Sequence, residues 1–145
     1  MAKTEKKILI IEARFYDQIA DALAVGAIST LSEAGFKYER LAVPGVFEIP
    51  AALRLAWSTG DYAGSLALGC VIRGETDHYD HICREVSRKL MDLSVDYAVP
   101  HGFGVLTCEN KDQAWERADT AQRNLGARTA EACIRMIDIK SSFAD

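Results

Sequence analysis

The sequence predicts an α/β protein with three layers, in which helices cover both faces of a four-stranded parallel sheet. Apolar runs of strand length alternate four times with amphipathic helical patterns, and parallel strands need such helical crossovers. Two of the runs, KILIIEA (7–13) and GSLALGCVIR (64–73), are apolar almost throughout, which is typical of strands buried on both faces. The 145 residues suffice for a single core, so we expect one domain over residues 1–145.

Local signals indicate where most elements begin and end. Gly35 is expected to end the first helix, Pro50 to lie in the first turn of the second, and Asp77 to cap the third. Asn110, with Gln113 three residues later, resembles the capping box of a fourth helix. The expected strands are 7–13, 37–43, 64–73 and 97–107, and the expected helices are 17–31, 50–58, 78–94 and a stretch from 110 through Ala121 that breaks near Gly126 and resumes to Ile137.

Composition and charge exclude several classes of protein. The formal net charge is −4 and there is no run of Lys or Arg, so we expect no nucleic-acid partner. No apolar run approaches the roughly 20 residues that span a membrane, and the apolar run near the N-terminus is too short for a signal peptide. None of the four cysteines lies in a CxxC motif, so we expect reduced thiols, with a redox or metal role as the alternative. These features predict a cytoplasmic protein that does not bind membranes.

The residues that core packing does not explain cluster at the strand ends. Segments 14–17, 44–50 and 73–81 follow the first three strands, and segment 101–110 lies near the end of the fourth. Parallel strands place their carboxyl ends at one edge of the sheet, where ligands of such folds bind. The sequence therefore predicts a functional site at this edge.

The stretch GCVIRGETDHYDH (69–81) combines a strand, a turn and a helix start. A turn at Gly74 that leads into a helix offers free backbone N–H groups to an anion, and His78 beside it is the best candidate for proton transfer. A solvated surface histidine is the simpler interpretation. A metal cluster is disfavoured, because Asp77 and His81 share one helix face while His78 points elsewhere, so we expect no metal.

Four other residues each allow two interpretations. Phe15 and Phe47 follow strands and are either loop plugs or platforms for a planar ring. Glu48 is either a favourable acid at a helix N-terminus or an acceptor for a polyol. Arg117 is either a surface charge or a bidentate phosphate ligand.

Several motifs together resemble one enzyme family. PGVFEIP (44–50), GCVIRGETDHYDHI (69–82), FGVLT (103–107) and ENKDQAWERA (109–118), with Phe15 after the first strand, are similar to the 6,7-dimethyl-8-ribityllumazine synthases. The similarity extends in order from about residue 7 to 139. It implies a flavodoxin-like fold and condensation of 5-amino-6-(D-ribitylamino)uracil with 3,4-dihydroxy-2-butanone 4-phosphate, without metal or organic cofactor. A non-catalytic protein that binds lumazine or flavin on the same fold is the alternative.

The resemblance also implies a role for each site residue. Glu75 and Thr76 are implied to hold the butanone phosphate and Arg117 to bind its phosphate, while His78 transfers protons and Phe103 serves the pocket of a neighbouring subunit. The residues implied to contact the pyrimidine and its ribityl chain lie at the strand ends or just beyond them: Phe15, Val46, Phe47, Glu48, Cys70, Val71 and Ile72.

Two residues depart from the family pattern. Tyr16 stands where the family often has asparagine, and Leu125 stands where it often has lysine. Some contacts to the ribityl chain or the uracil are therefore not carried over by the resemblance. Arg123 is the candidate replacement for the lysine.

The chain is also expected to form a homo-oligomer. The family assembles as pentamers, decamers or shells of sixty subunits, which implies at least five subunits and sites built across subunit boundaries. The small-residue face of the first helix and the apolar stripes of the later helices, with Trp57 and Trp115, offer more apolar surface than a four-stranded sheet is expected to cover.

Overall fold

The computed structural model describes residues 6–74 and 79–144 and confirms the α/β prediction. The sheet has the order β2-β1-β3-β4, and every pair of neighbouring strands is parallel. A single 3₁₀ turn over Val46–Glu48 leads into the second helix. The elements are β1 (Lys7–Ala13), α1 (Asp17–Glu33), β2 (Tyr38–Val43), α2 (Ile49–Trp57), β3 (Tyr62–Ile72), α3 (Tyr79–Asp96), β4 (His101–Cys108), α4 (Lys111–Ala118) and α5 (Leu125–Ser142).

The helices form two layers, one on each face of the sheet. Helices α1, α4 and α5 pack with the face that carries Ile8, Ile10 and Leu66, and helices α2 and α3 pack with the opposite face. The two inner strands are buried almost throughout, as their continuous apolar runs predict. Both layers leave the carboxyl ends of the strands accessible to a ligand.

Two predicted boundaries after α3 are wrong. Strand β4 begins at His101 and not at 97, because Ala98 adopts a positive φ of 54° and its carbonyl accepts a hydrogen bond from Lys140 Nζ at 2.8 Å. Helix α4 ends at Ala118, so Ala121 is not helical. Asp119 is extended (φ −60°, ψ 125°) and its carboxylate accepts the Ala121 N–H at 3.1 Å, a local bond that competes with the helix.

The small-residue face of α1 is covered within the chain. A Cβ atom built on Gly126 would lie 2.0 Å from the carbonyl oxygen of Leu23, so this glycine lets α5 approach the backbone of α1. Gly26 and Ala27 are buried in the same contact. The expectation that this face is available to another subunit is therefore wrong. The expected C-terminal glycine of α1 is confirmed, since Gly35 has a φ of 88° directly after the cap residue Ala34.

Other apolar side chains do remain on the surface. Leu55 of α2 and Val95 of α3 are 73% and 71% exposed, and Met91 and Trp115 are exposed as well. Trp57, by contrast, is half-buried beneath the Lys140 ammonium group. Within the described ranges, every helix falls short of the length and apolarity that a membrane crossing requires.

Candidate functional site

One cavity at the carboxyl edge of the sheet brings together six of the predicted site residues. Its volume is about 320 Å³, and residues that follow β1 and β2 and the last three residues of β3 contribute to it. Ile82, the fourth residue of α3, completes the wall. The predicted residues that line it are Phe15, Val46, Phe47, Cys70, Val71 and Ile72, which we call the cavity group; Tyr16, Gly45 and Ile82 line it as well.

Strand β3 extends beyond β1 at this cavity. The pairing of β1 with β3 ends at Glu12 and Leu68, whereas the pairing of β3 with β4 continues to Ile72 and Cys108. The β1 side of residues 70–72 therefore has no strand partner in the described part of the chain. Its backbone N–H and C=O groups are available to a ligand with a complementary polar edge.

A glycine in β3 lets the PGVFE turn lie against the strand. A Cβ atom on Gly69 would lie 2.6 Å from Val46 Cγ1 and 3.1 Å from the Cβ of Ala13. The turn is closed by Glu48, whose carboxylate accepts the Gly45 N–H at 2.9 Å. Glu48 is exposed beside the cavity and does not line it.

Phe15 projects from a segment that is anchored on both sides. Its ring is 73% exposed and makes an edge-to-face contact with Tyr16, with 4.9 Å between ring centroids. Arg14, which precedes it, donates to the carboxylates of Glu12 and Asp21. Glu12 is only 2% exposed and also accepts two hydrogen bonds from Arg40, so a buried carboxylate fixes the start of this segment.

The thiol in the cavity wall is neutral. Burial, together with the adjacent Cys108 thiol, raises the pKa of Cys70 to about 12. Arg117 lies behind this wall, where its Nη1 donates to Cys108 Sγ and to Gln113 Oε1, both at 3.2 Å. Arg117 is thus two contacts away from the cavity and does not line it.

Phe103 lies away from the cavity, in contrast to its sequence-based placement near the end of the fourth strand. Because β4 begins at His101, Phe103 is its third residue and pairs with Ala67 in the middle of the sheet. It lines a separate cavity of about 210 Å³ between β4 and α3. We call Phe103, in β4, and Arg117, in the helix α4 that follows it, the β4 group.

His101 lines this second cavity and was not predicted as a site residue. Its Nδ1 is hydrogen-bonded to Ser65 Oγ at 2.7 Å, while its buried Nε2 has no partner among the described residues. Burial lowers the pKa of His101 to about 4, so the ring is neutral at pH 7.

Glu75, Thr76, Asp77 and His78 lie outside the described residues, so their predicted roles stay predictions. The residues on either side of them make ion pairs and a cation–π contact. Arg73 contacts Glu109 at 3.2 Å and Asp80 at 3.4 Å, and its guanidinium lies 4.3 Å from the centroid of the Tyr79 ring. The expected turn at Gly74 is present, with a φ of 89°.

The described residues include no group of three His, Cys, Asp or Glu side chains placed to hold a metal ion. Three residues that line the cavity of the cavity group, Tyr16, Gly45 and Ile82, were not predicted as site residues. Tyr16 directly follows Phe15 in the same loop, and this position was a sequence signal that could have identified it. Ile82 was assigned to the core because it falls on the apolar stripe of α3.

Comparison with known proteins finds one family along nearly the whole chain. Residues 5–141 match the family profile described as 6,7-dimethyl-8-ribityllumazine synthase. A protein of that name from Paramagnetospirillum magneticum is 48% identical over 141 residues, covering 92% of this chain and 94% of the relative. Those from Bartonella tribocorum (47%, covering 100% and 98%) and Agrobacterium fabrum (49%, covering 94% and 95%) are similarly close.

Proposed function

The chain belongs to the 6,7-dimethyl-8-ribityllumazine synthase family, and we propose that the cavity group holds the pyrimidine substrate of this reaction. The enzyme is a transferase of riboflavin biosynthesis that joins 5-amino-6-(D-ribitylamino)uracil to 3,4-dihydroxy-2-butanone 4-phosphate. The products are 6,7-dimethyl-8-ribityllumazine, phosphate and water. The alternative of a non-catalytic flavin-binding protein has no support in these comparisons.

The observation that carries this assignment is the convergence of the cavity group on the unpaired edge of β3. A uracil ring presents alternating C=O and N–H groups along its edge, which suit the free backbone of residues 70–72. The exposed Phe15 ring at the mouth offers a face for stacking. Val46, Phe47 and Glu48 follow in the adjacent turn, where the ribityl chain extends from the ring.

The phosphorylated ketone is assigned to the turn between β3 and α3. We propose that Glu75 and Thr76 hold it and that an Arg117 guanidinium binds its phosphate in bidentate fashion. His78 transfers protons as the amine attacks the ketone, water leaves to form an imine, phosphate is eliminated, and the ring closes with loss of a second water. Holding two substrates together supplies much of the rate, because an intermolecular condensation is entropically costly.

The active form is proposed to be a homo-oligomer of at least five subunits, a pentamer or an assembly of pentamers, with sites at subunit boundaries. The position of the β4 group supports this proposal, since neither Phe103 nor Arg117 lines the cavity that the cavity group forms in the same chain. Exposed Leu55, Met91 and Val95 supply apolar surface for the contacts. The four free cysteines suit the reducing cytoplasm, where we place the enzyme.

The assay that tests the function mixes the two substrates and follows the absorbance and fluorescence of the lumazine. We expect turnover with the unmodified chain, and absence of any product would contradict the assignment. His78→Ala should lower kcat by about 100-fold or somewhat less, with folding intact. His81→Ala is the matched control, because His81 is an exposed imidazole three residues later in the sequence, and it should keep kcat. Equal kcat for His78→Ala and the unmodified chain across the pH range would remove His78 from proton transfer.

A further inference from the structure

We propose that Tyr16 and Lys111 are positioning residues that hold the Phe15 ring in the orientation that stacks on the pyrimidine. This rests on the proposed role of Phe15 in binding that substrate. With 73% of its surface exposed, the Phe15 ring has little packing of its own to orient it. Its contact with Tyr16 is nearly perpendicular, with 83° between the ring planes, which is a favoured geometry for an aromatic pair.

Tyr16 is itself held from two sides. It is half-buried and packs on the core beneath α1, α4 and α5. The Lys111 ammonium group lies 5.8 Å from the centroid of its ring, within the range of a cation–π contact. Lys111, Tyr16 and Phe15 therefore form a continuous series of contacts from the start of α4 to the mouth of the cavity.

The placement of Lys111 follows from the packing of α4 on α1. Ala114 and Ala118 of α4 are fully buried in the shared core, and Lys111 precedes Ala114 by three residues, so it lies on the same side of the helix. Lys111 is the first residue of α4, where the helix dipole disfavours a cation. The cation–π contact with the Tyr16 ring gives the Lys111 ammonium group a favourable interaction that the helix N-terminus does not provide.

The identity of residue 16 matters to this arrangement. An asparagine at this position would offer no ring for either contact. With tyrosine, one side chain both meets Phe15 edge-to-face and accepts the cation above it. Removing either Tyr16 or Lys111 should therefore loosen the Phe15 ring, and Lys111→Met does so without removing any group that lines the cavity, whereas Tyr16 lines it as well.

The experiment measures KM for each substrate, kcat, and the dissociation constant of 6,7-dimethyl-8-ribityllumazine by its fluorescence. Tyr16→Leu should raise KM for the pyrimidine about fivefold, and Lys111→Met about two- to threefold, with KM for the ketone phosphate unchanged. Lys111→Arg should restore the value, since a guanidinium also stacks on tyrosine. Lys37→Met, which removes an exposed lysine at the opposite end of the sheet, is the control and should change nothing.

A double-mutant cycle separates this inference from the proposed function. If Tyr16 acts through Phe15, adding Tyr16→Leu to Phe15→Ala should weaken lumazine binding no further. Additive losses, or no loss on Tyr16→Leu and Lys111→Met alone, would overturn the positioning role while leaving Phe15 in place. Unchanged binding in Phe15→Ala alone would instead overturn the assignment of Phe15, and the inference with it. Lys111→Met changes only an exposed side chain, so it tests the proposal even if Tyr16→Leu folds poorly.

Discussion

The cavity group and the β4 group occupy different surroundings although the same sheet carries both. The six residues of the cavity group come from three separate segments and converge on one cavity. The two residues of the β4 group diverge, because Phe103 faces α3 on one side of the sheet and Arg117 contacts Cys108 on the other.

The difference follows from strand position. The cavity group comes from the carboxyl ends of three adjacent strands, β2, β1 and β3, so the segments there can close around a shared space. Phe103 lies in β4, an edge strand with a partner on one side only, and Arg117 lies in helix α4, which follows that strand. One group thus converges on a single cavity, whereas the other does not.

The largest predicted effect is a recovery of activity when two defective variants are mixed. It tests whether the two groups reach one site from different subunits. Phe15→Ala and Arg117→Ala chains should each be nearly inactive alone when both substrates are kept near the KM values of the unmodified enzyme. When they are mixed under conditions that allow exchange, about a quarter of the sites should receive both wild-type residues by random pairing. Activity should then return to about a quarter of that of the unmodified enzyme.

The absence of any recovery would mean that one chain supplies both residues, and the two groups would then belong to the same site. Sedimentation provides an independent check on the mixed preparation. A fully active monomer of 15.9 kDa would contradict a site shared between subunits.

The second effect concerns the β4 side alone, because His101 begins β4 and lines the same cavity as Phe103. The pKa of His101 is about 4 in the folded chain against 6.5 for an unperturbed histidine, so the unfolded state binds more protons as pH falls. His101 therefore does not lower the free energy of unfolding above pH 6.5. As the pH falls from 6.5 towards 4, the free energy of unfolding decreases by about 3 kcal/mol at most. Denaturant unfolding at a series of pH values measures this loss.

A matched variant isolates the His101 contribution. Ser65→Ala with His101→Leu removes both hydrogen-bonding partners together and leaves no buried polar group behind. The slope of stability between pH 6.5 and 4 should become shallower in this variant. An unchanged slope would assign the acid sensitivity to other groups.

The third effect distinguishes the two substrates. Arg117→Ala should raise KM for the ketone phosphate about 10- to 100-fold, because hydrogen bonds to charged groups contribute about 1.5–3 kcal/mol. KM for the pyrimidine should change far less, since Arg117 does not line the main cavity. Steady-state kinetics with each substrate varied in turn measures both values, and equal increases would remove Arg117 from phosphate binding.

The smallest effect concerns the turn beside the cavity group. Glu48→Ala removes the acceptor of the Gly45 N–H and should lower stability by about 1 kcal/mol, with a modest rise in KM for the pyrimidine. Glu48→Gln keeps an acceptor oxygen and serves as the control for closure of the turn. Both variants lack the carboxylate charge, but only Glu48→Ala lacks the acceptor oxygen. If both raise KM for the pyrimidine equally, the charge of Glu48 contributes to substrate binding, and closure of the turn does not explain the effect.

Sequence patterns were sufficient to predict the four strand–helix alternations and six of the residues that line the cavity. Apolar periodicity is a local property, and parallel strands must place their carboxyl ends together, so the segments at Phe15, 46–48 and 70–72 were predicted to share one edge. The resemblance to the synthase family then assigned them roles, and the comparisons confirm the family. The local signals worked because each element carries its own period and its own end residues.

Which of these residues come into contact depends on how distant segments pack. The extension of β3 beyond β1 depends on strand register, which no local pattern encodes. The separation of Phe103 from the cavity depends on the register of β4, which pairs Phe103 with Ala67. Strand β4 begins after Ala98, which has a positive φ and whose carbonyl accepts a hydrogen bond from Lys140, 42 residues away. The contact of Lys111 with Tyr16 likewise joins distant segments of the chain, because it requires α4 to pack on α1 in one particular position.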